Sequence, residues 1–148
     1  MASGASIVKN TMKGKDYGKA VGNATERALT KIGAIIEGEA ILRAPIKTGR
    51  LRGSLTFATK KDSDRTRAPA EQGDAVSTPG ANYTLHVGTN VEYAAHMEYG
   101  TRKRGLFGIS IGQLAAAQPF LRPALHDNRG KLLKGYKAEI HKGLKSGR

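Results

Sequence analysis

Tyr93-Ala94-Ala95-His96-Met97-Glu98-Tyr99-Gly100-Thr101, followed later by Gln118-Pro119-Phe120-Leu121-Arg122-Pro123-Ala124-Leu125, decides how the rest of the chain is read. A third stretch, Ala44-Pro45-Ile46-Lys47-Thr48-Gly49-Arg50-Leu51-Arg52-Gly53-Ser54-Leu55, has the same character. None of them offers an obvious catalytic group. All three are punctuation between apolar anchors. Thr48 suits the cap of a tight turn, and Gly49 frees the backbone where the chain reverses. Gly100 is placed as the left-handed C-terminal cap of a short helix. Pro119 and Pro123 stiffen the approach to a last helix, with Pro123 favoured in its first turn. Segments of this kind define a backbone path, which points to a structural part and not to an enzyme.

Working outward, residues 19–43 repeat apolar side chains at helical spacing: Ala28, Leu29, Ile32, Ile35, Ile36 and Ala40 form one stripe. Pro45 stops the run, because a residue before proline is biased out of the helical region. Ser54–Thr59 reads as a strand with Leu55 and Phe57 on one side and Thr56 and Ala58 on the other, and 82–88 reads as a second strand that pairs antiparallel with it. Residues 60–80 make a long loop. Thr89 and Glu92 fit a capping box that opens a short helix reaching Glu98. A last helix over 123–143 carries Leu125, Leu132, Tyr136 and Ile140, with Leu121 just ahead of it and Leu144 just past it on the same stripe. Gly130 and Gly135 weaken it by about 1 kcal/mol each relative to alanine. The expected fold is α+β: a small antiparallel sheet with long N-terminal and C-terminal helices packed on one face, a short helix and extended loops. The expected organisation is a flexible basic arm over 1–17 and one domain over 18–148.

Taken together, the three segments resemble the small head–tail joining, neck or tail-completion proteins of long-tailed bacteriophages, the tail-component family of a Hong Kong-type lambdoid phage. The family pattern A-P-x-x-T-G-x-L-x-x-S falls on Ala44, Pro45, Thr48, Gly49, Leu51 and Ser54. The pattern Y-A-x-x-x-E-[FY]-G-T falls on Tyr93, Ala94, Glu98, Tyr99, Gly100 and Thr101, and P-F-L-R-P-A-L on Pro119, Phe120, Leu121, Arg122, Pro123, Ala124 and Leu125. The resemblance spans roughly 20–140 and is dense only in those places. It implies a non-enzymatic virion protein, made in the host cytoplasm, that forms a ring in the neck or at the top of the tail. It also implies the partners: copies of itself (a hexamer first, a dodecamer second), other neck, head-completion and tail proteins, and phage DNA passing through the channel without sequence readout.

Composition agrees with one domain of 148 residues and a lean core, since 39% of residues are hydrophobic but only 5% aromatic. The chain has no cysteine, so disulfides and thiolate metal sites are excluded. No apolar run approaches a membrane span, and the N-terminus lacks the apolar core of a signal peptide. Lys and Arg number 25 against 12 acids, a formal charge of +13. That balance suits contact with a polyanion, or a solvated surface facing acidic neighbours. Lys60, Lys61, Arg65 and Arg67 are the candidate phosphate contacts. No aromatic residues are interleaved with them, so a base-stacking platform is not expected. A non-specific basic DNA-binding protein is the alternative function.

Catalytic and metal sites find little support. His96 and Glu98 lie two apart, which places them on different faces of a helix, and nothing completes a ligand set. Ser54 and Ser110 lack a nearby His and acid, and the Gly-Lys pairs lack phosphate-loop spacing. No cofactor is expected. Glu98 instead suggests an ion pair to a basic neighbour such as Arg50 or Arg122, within the subunit or across an interface. Leu106, Phe107, Ile109 and Ile111 form a glycine-spaced apolar segment in what should be a surface connection. It reads either as a short extra hairpin or as a segment that needs a partner, and a contact between subunits is expected there.

Overall fold

The first helix is the spine. A computed structural model of the protein describes residues 14–46, 49–61, 74–104 and 110–146. In it, α1 runs from Gly14 to Arg43, about 45 Å at 1.5 Å per residue. It begins ahead of the expected residue 19, so residues 14–17 belong to the helix and not to the arm. A five-residue helix, α2 (Arg50–Ser54), follows Gly49, whose φ of 74° takes the chain round the corner. Strand β1 (Thr56–Thr59) and β2 (Leu85–Gly88) pair antiparallel, with Thr56 opposite Gly88 and Thr59 opposite Leu85. Then come α3 (Ala94–Tyr99), a second antiparallel pair β3 (Thr101–Arg104) and β4 (Ser110–Ala115), and α4 (Leu121–Ser146).

The class is α+β as expected, with α1 against the β1–β2 sheet and α4 antiparallel along α1. The helix pair is close because small residues line it. Ala24, Ala28 and Ala40 are buried on α1, and Ala124 is buried on α4. A Cβ at Gly143 would sit 2.4 Å from the Ala24 Cβ and 3.3 Å from the Ala20 carbonyl oxygen. Gly33 similarly lets the Phe57 ring lie against α1. Charge fastens the same seam: Arg43 Nη1 donates to Asp127 Oδ2 at 2.6 Å, and Lys31 pairs with Glu139. Gly143→Ala is therefore expected to lower the melting temperature even though alanine favours the helix by about 1 kcal/mol. The overpacked seam costs about 1–3 kcal/mol, and thermal denaturation of the single variant checks the sign.

Several local expectations change. α2 runs through Ser54, so the first strand begins at Thr56 and not at Ser54. All four β1 residues are buried, not only one alternating set. The cause is a strap, residues 74–80, laid along the strand: Val76 N–H donates to Thr56 Oγ1 at 3.0 Å, and Arg50 grips Asp74 through two hydrogen bonds of 2.8 and 3.0 Å. The second strand starts at Leu85, because Tyr83 has a φ of 57° that breaks extension. Thr89 does not cap α3. Its hydroxyl accepts the Val91 N–H and bonds to Ser54 Oγ at 2.7 Å, tying the turn to α2. Gly100 terminates α3, but at φ 75° and ψ 170° and not in the left-handed helical conformation expected of a C-terminal cap; that region is almost exclusively glycine's.

The helical stripes are also rotated from the expected ones. On α1 Ala28, Ile32, Ile36 and Ala40 face inward as read, but Ile35 is exposed. On α4 Leu132 is buried and Leu121 packs on the core, whereas Leu125 is 52% exposed. The position that faces inward is the small Ala124, followed by Asn128, whose amide donates to the Ala124 carbonyl.

Candidate functional site

The motif segments converge on one core. Ala44, Leu51, Leu55, Ala94, Phe120 and Ala124 are all buried in a single cluster with Ile36, Ala40, Val91 and Leu132. That cluster sits where α1 ends, α2 and α3 turn, and α4 begins. Ser54 is fully buried within the same region and bonds to the Leu51 carbonyl. Tyr93 packs against the cluster, with its hydroxyl buried and unpartnered among the described residues. Pro45 is half-buried at the exit from α1.

Two charged side chains lock the helix ends around this core. Glu98 is 7% exposed. Its carboxylate accepts the backbone N–H groups of Phe120 (2.9 Å), Leu121 (3.0 Å) and Arg122 (3.0 Å). These are among the N–H groups that the first turn of α4 leaves without intrahelical partners, and the helix dipole there favours a negative charge. Burial pushes the Glu98 carboxyl up. The N–H bonds from Leu121, Phe120 and Arg122, with the Arg122 charge, outweigh it and hold the group below the ordinary value of 4.5. At the other end, Arg52 Nε donates to the Ala44 carbonyl at 2.7 Å and Nη2 reaches the Leu42 carbonyl at 3.4 Å. It closes the C-terminus of α1, where the dipole favours a cation.

Sequence reasoning named Glu98 but not its role. Arg50 is engaged with Asp74, and Arg122 meets Glu98 through its main chain while its guanidinium lies 4.3 Å over the exposed Tyr99 ring. Both Glu98 oxygens are thus occupied within the subunit, and the carboxylate acts as a helix cap. Arg52 was passed over; its signal was a basic residue eight positions after Ala44, the residue before the proline that stops the helix. His96 is exposed, and no group of three or more metal-ligating side chains occurs among the described residues. No helix among them is long and apolar enough to cross a membrane.

From this clasp a hairpin departs. Gly100 and Pro119 bracket it, and Gln118 N–H returns to the Met97 carbonyl at 2.7 Å, closing its base. Thr101 opens β3, and Pro119 is exposed just before the buried Phe120. The β3–β4 pair forms its own two-stranded sheet, separate from β1–β2, with register shifts on both sides of Arg102. Beyond each other, its strands touch the other described elements only marginally. Ile111 lies in β4. Leu106, Phe107, Ile109, Thr48, Arg65 and Arg67 lie outside the described residues. Lys60 and Lys61 are exposed at the end of β1.

A family model described as "Bacteriophage HK97-gp10, putative tail-component" matches residues 9–100. The chain belongs to that family of bacteriophage tail components. The matched region holds the Ala44–Leu55 segment and the Tyr93–Gly100 segment, and it ends where the hairpin begins. The Pro119–Leu125 segment, which Glu98 caps, lies beyond it. No curated protein and no solved structure gives a significant match.

Proposed function

We propose that the protein is a structural subunit that assembles into a ring, a hexamer by preference, in the neck or at the top of the tail of a long-tailed phage, around the DNA channel. The observation that carries this reading is the β3–β4 hairpin: held at its base by the clasp and with only marginal contact to the other described elements. A lone two-stranded hairpin is marginally stable in water. Among the described residues it is a two-stranded sheet, with two edges on which another chain could pair. Leu106, Phe107, Ile109 and Ile111 supply apolar side chains of the kind that a neighbouring subunit would bury. The clasp then has a purpose beyond stability, because it aims the hairpin from a rigid base.

Replacing Phe107, Ile109 and Ile111 together with serine tests this. The variant is expected to keep the monomer's circular dichroism and melting temperature while failing to form rings or to join heads to tails. Normal assembly by the triple variant would overturn the reading.

A further inference from the structure

At the end of α1 remote from the clasp, Lys19 and Asn23 on α1, Lys60 and Lys61 after β1, and Asn82 and Tyr83 before β2 line one depression of about 470 Å³. Lys61 Nζ donates to Asn23 Oδ1 at 3.3 Å, which draws the strand end onto the helix. Glu26 also lines the depression, and its Oε2 is buried with no hydrogen-bond partner among the described residues. Tyr83 forms a ridge. It is 55% exposed, and its hydroxyl lies over Gly22, where a Cβ would come within 2.6 Å. On its other side an apolar groove of about 500 Å³ is lined by Tyr17, Val21 and Tyr136. Tyr83 also holds a φ of 57°, uncommon for a bulky side chain and a cost that tends to mark functional positions.

The chemistry of this place is twofold: cations for an anion and an exposed aromatic face. We propose that it binds a nucleotide unit of a single nucleic-acid strand, with the phosphate on Lys19, Lys60 and Lys61 and the base against Tyr83. A bare phosphate would satisfy only the lysines and would leave the exposed Tyr83 ring unengaged. An acidic peptide would satisfy the lysines but lacks a flat ring to stack on Tyr83. A duplex keeps its bases stacked and paired, so it reaches the cations alone. Sequence neighbours gave no hint of stacking, because Tyr83 and the lysines meet only in the fold. The site lies within one chain and does not depend on ring formation, so its failure would leave the hairpin reading untouched.

The test is fluorescence anisotropy with a labelled oligodeoxycytidine strand, a blunt duplex of equal phosphate count, and polyglutamate as competitor. The strand is expected to bind more tightly than the duplex. Tyr83→Ala should weaken strand binding by about tenfold and leave the duplex nearly unchanged. Gly22→Ala should displace the tyrosine ring and weaken strand binding too, while raising the melting temperature through its better helix propensity, so lost folding cannot explain the loss. The double charge reversal Lys60→Glu, Lys61→Glu should weaken both strand and duplex. Free deoxycytidine monophosphate should displace the strand better than inorganic phosphate does. Equal affinity for strand and duplex, displacement by polyglutamate as effective as by nucleotide, or unaltered strand binding by both Tyr83→Ala and Gly22→Ala would each overturn the proposal.

Discussion

Leu132→Asp is expected to leave the protein unfolded or insoluble, and Leu125→Asp, seven residues away on the same helix, to purify with a nearly unchanged melting temperature. Leu132 is 6% exposed in the core formed by the motif segments. Truncating a leucine in such a site costs about 2–5 kcal/mol. An unpaired carboxylate put in its place adds several kcal/mol more. The sum rivals the whole stability of a domain, about 5–15 kcal/mol. Leu125 is half-exposed, and surface changes of that kind stay within about 0.5 kcal/mol. Soluble expression and thermal denaturation of the two variants side by side check the helix rotation directly. Equal damage from both would mean that the Ala124 face is not the buried one.

Glu98→Ala is the second large effect. It removes the acceptor for the N–H groups of Phe120, Leu121 and Arg122 at a buried position, with an expected loss of about 2–4 kcal/mol. Glu98→Gln, which keeps one carbonyl oxygen, should lose less. The folded-state carboxyl lies below its ordinary value. Its contribution is therefore full above the unfolded-state value and disappears as pH falls through the lower folded-state value. The gap in stability between the parent and Glu98→Ala should be wide at neutral pH and narrow in acid. A gap that does not change with pH would show that the charge on Glu98 plays no part in the cap.

Much of this fold was legible because the motifs are made of residues with narrow conformational meaning. Pro45 ends α1, Gly49 turns the chain, and Gly100 adopts a backbone geometry that other residues avoid. The antiparallel pairing of the first two strands followed from their alternation and order. What could not be read was everything settled by small residues and by distance. Apolar stripes led to Leu125 and Ile35, but helices that approach as closely as α1 and α4 place alanine and glycine at the contact and leave larger side chains outside. Thr89 looked like a cap because its local spacing allowed it, yet Ser54, some 35 residues earlier, claims its hydroxyl. Glu98 stood out as an acid on a basic chain, but its partners are main-chain groups that carry no sequence signal. The same holds for the depression beside Tyr83, whose parts come from α1, the end of β1 and the turn before β2.

In the proposed ring the hairpin is the element that joins one subunit to the next. Native mass measurement of the purified protein, alone and with Phe107, Ile109 and Ile111 replaced by serine, tests that role most directly. The parent should appear as a closed multiple of the 15.7 kDa chain, six copies by preference, and the variant as a folded monomer. A parent that stays monomeric at every concentration, or a variant that forms the same closed particle, would contradict it.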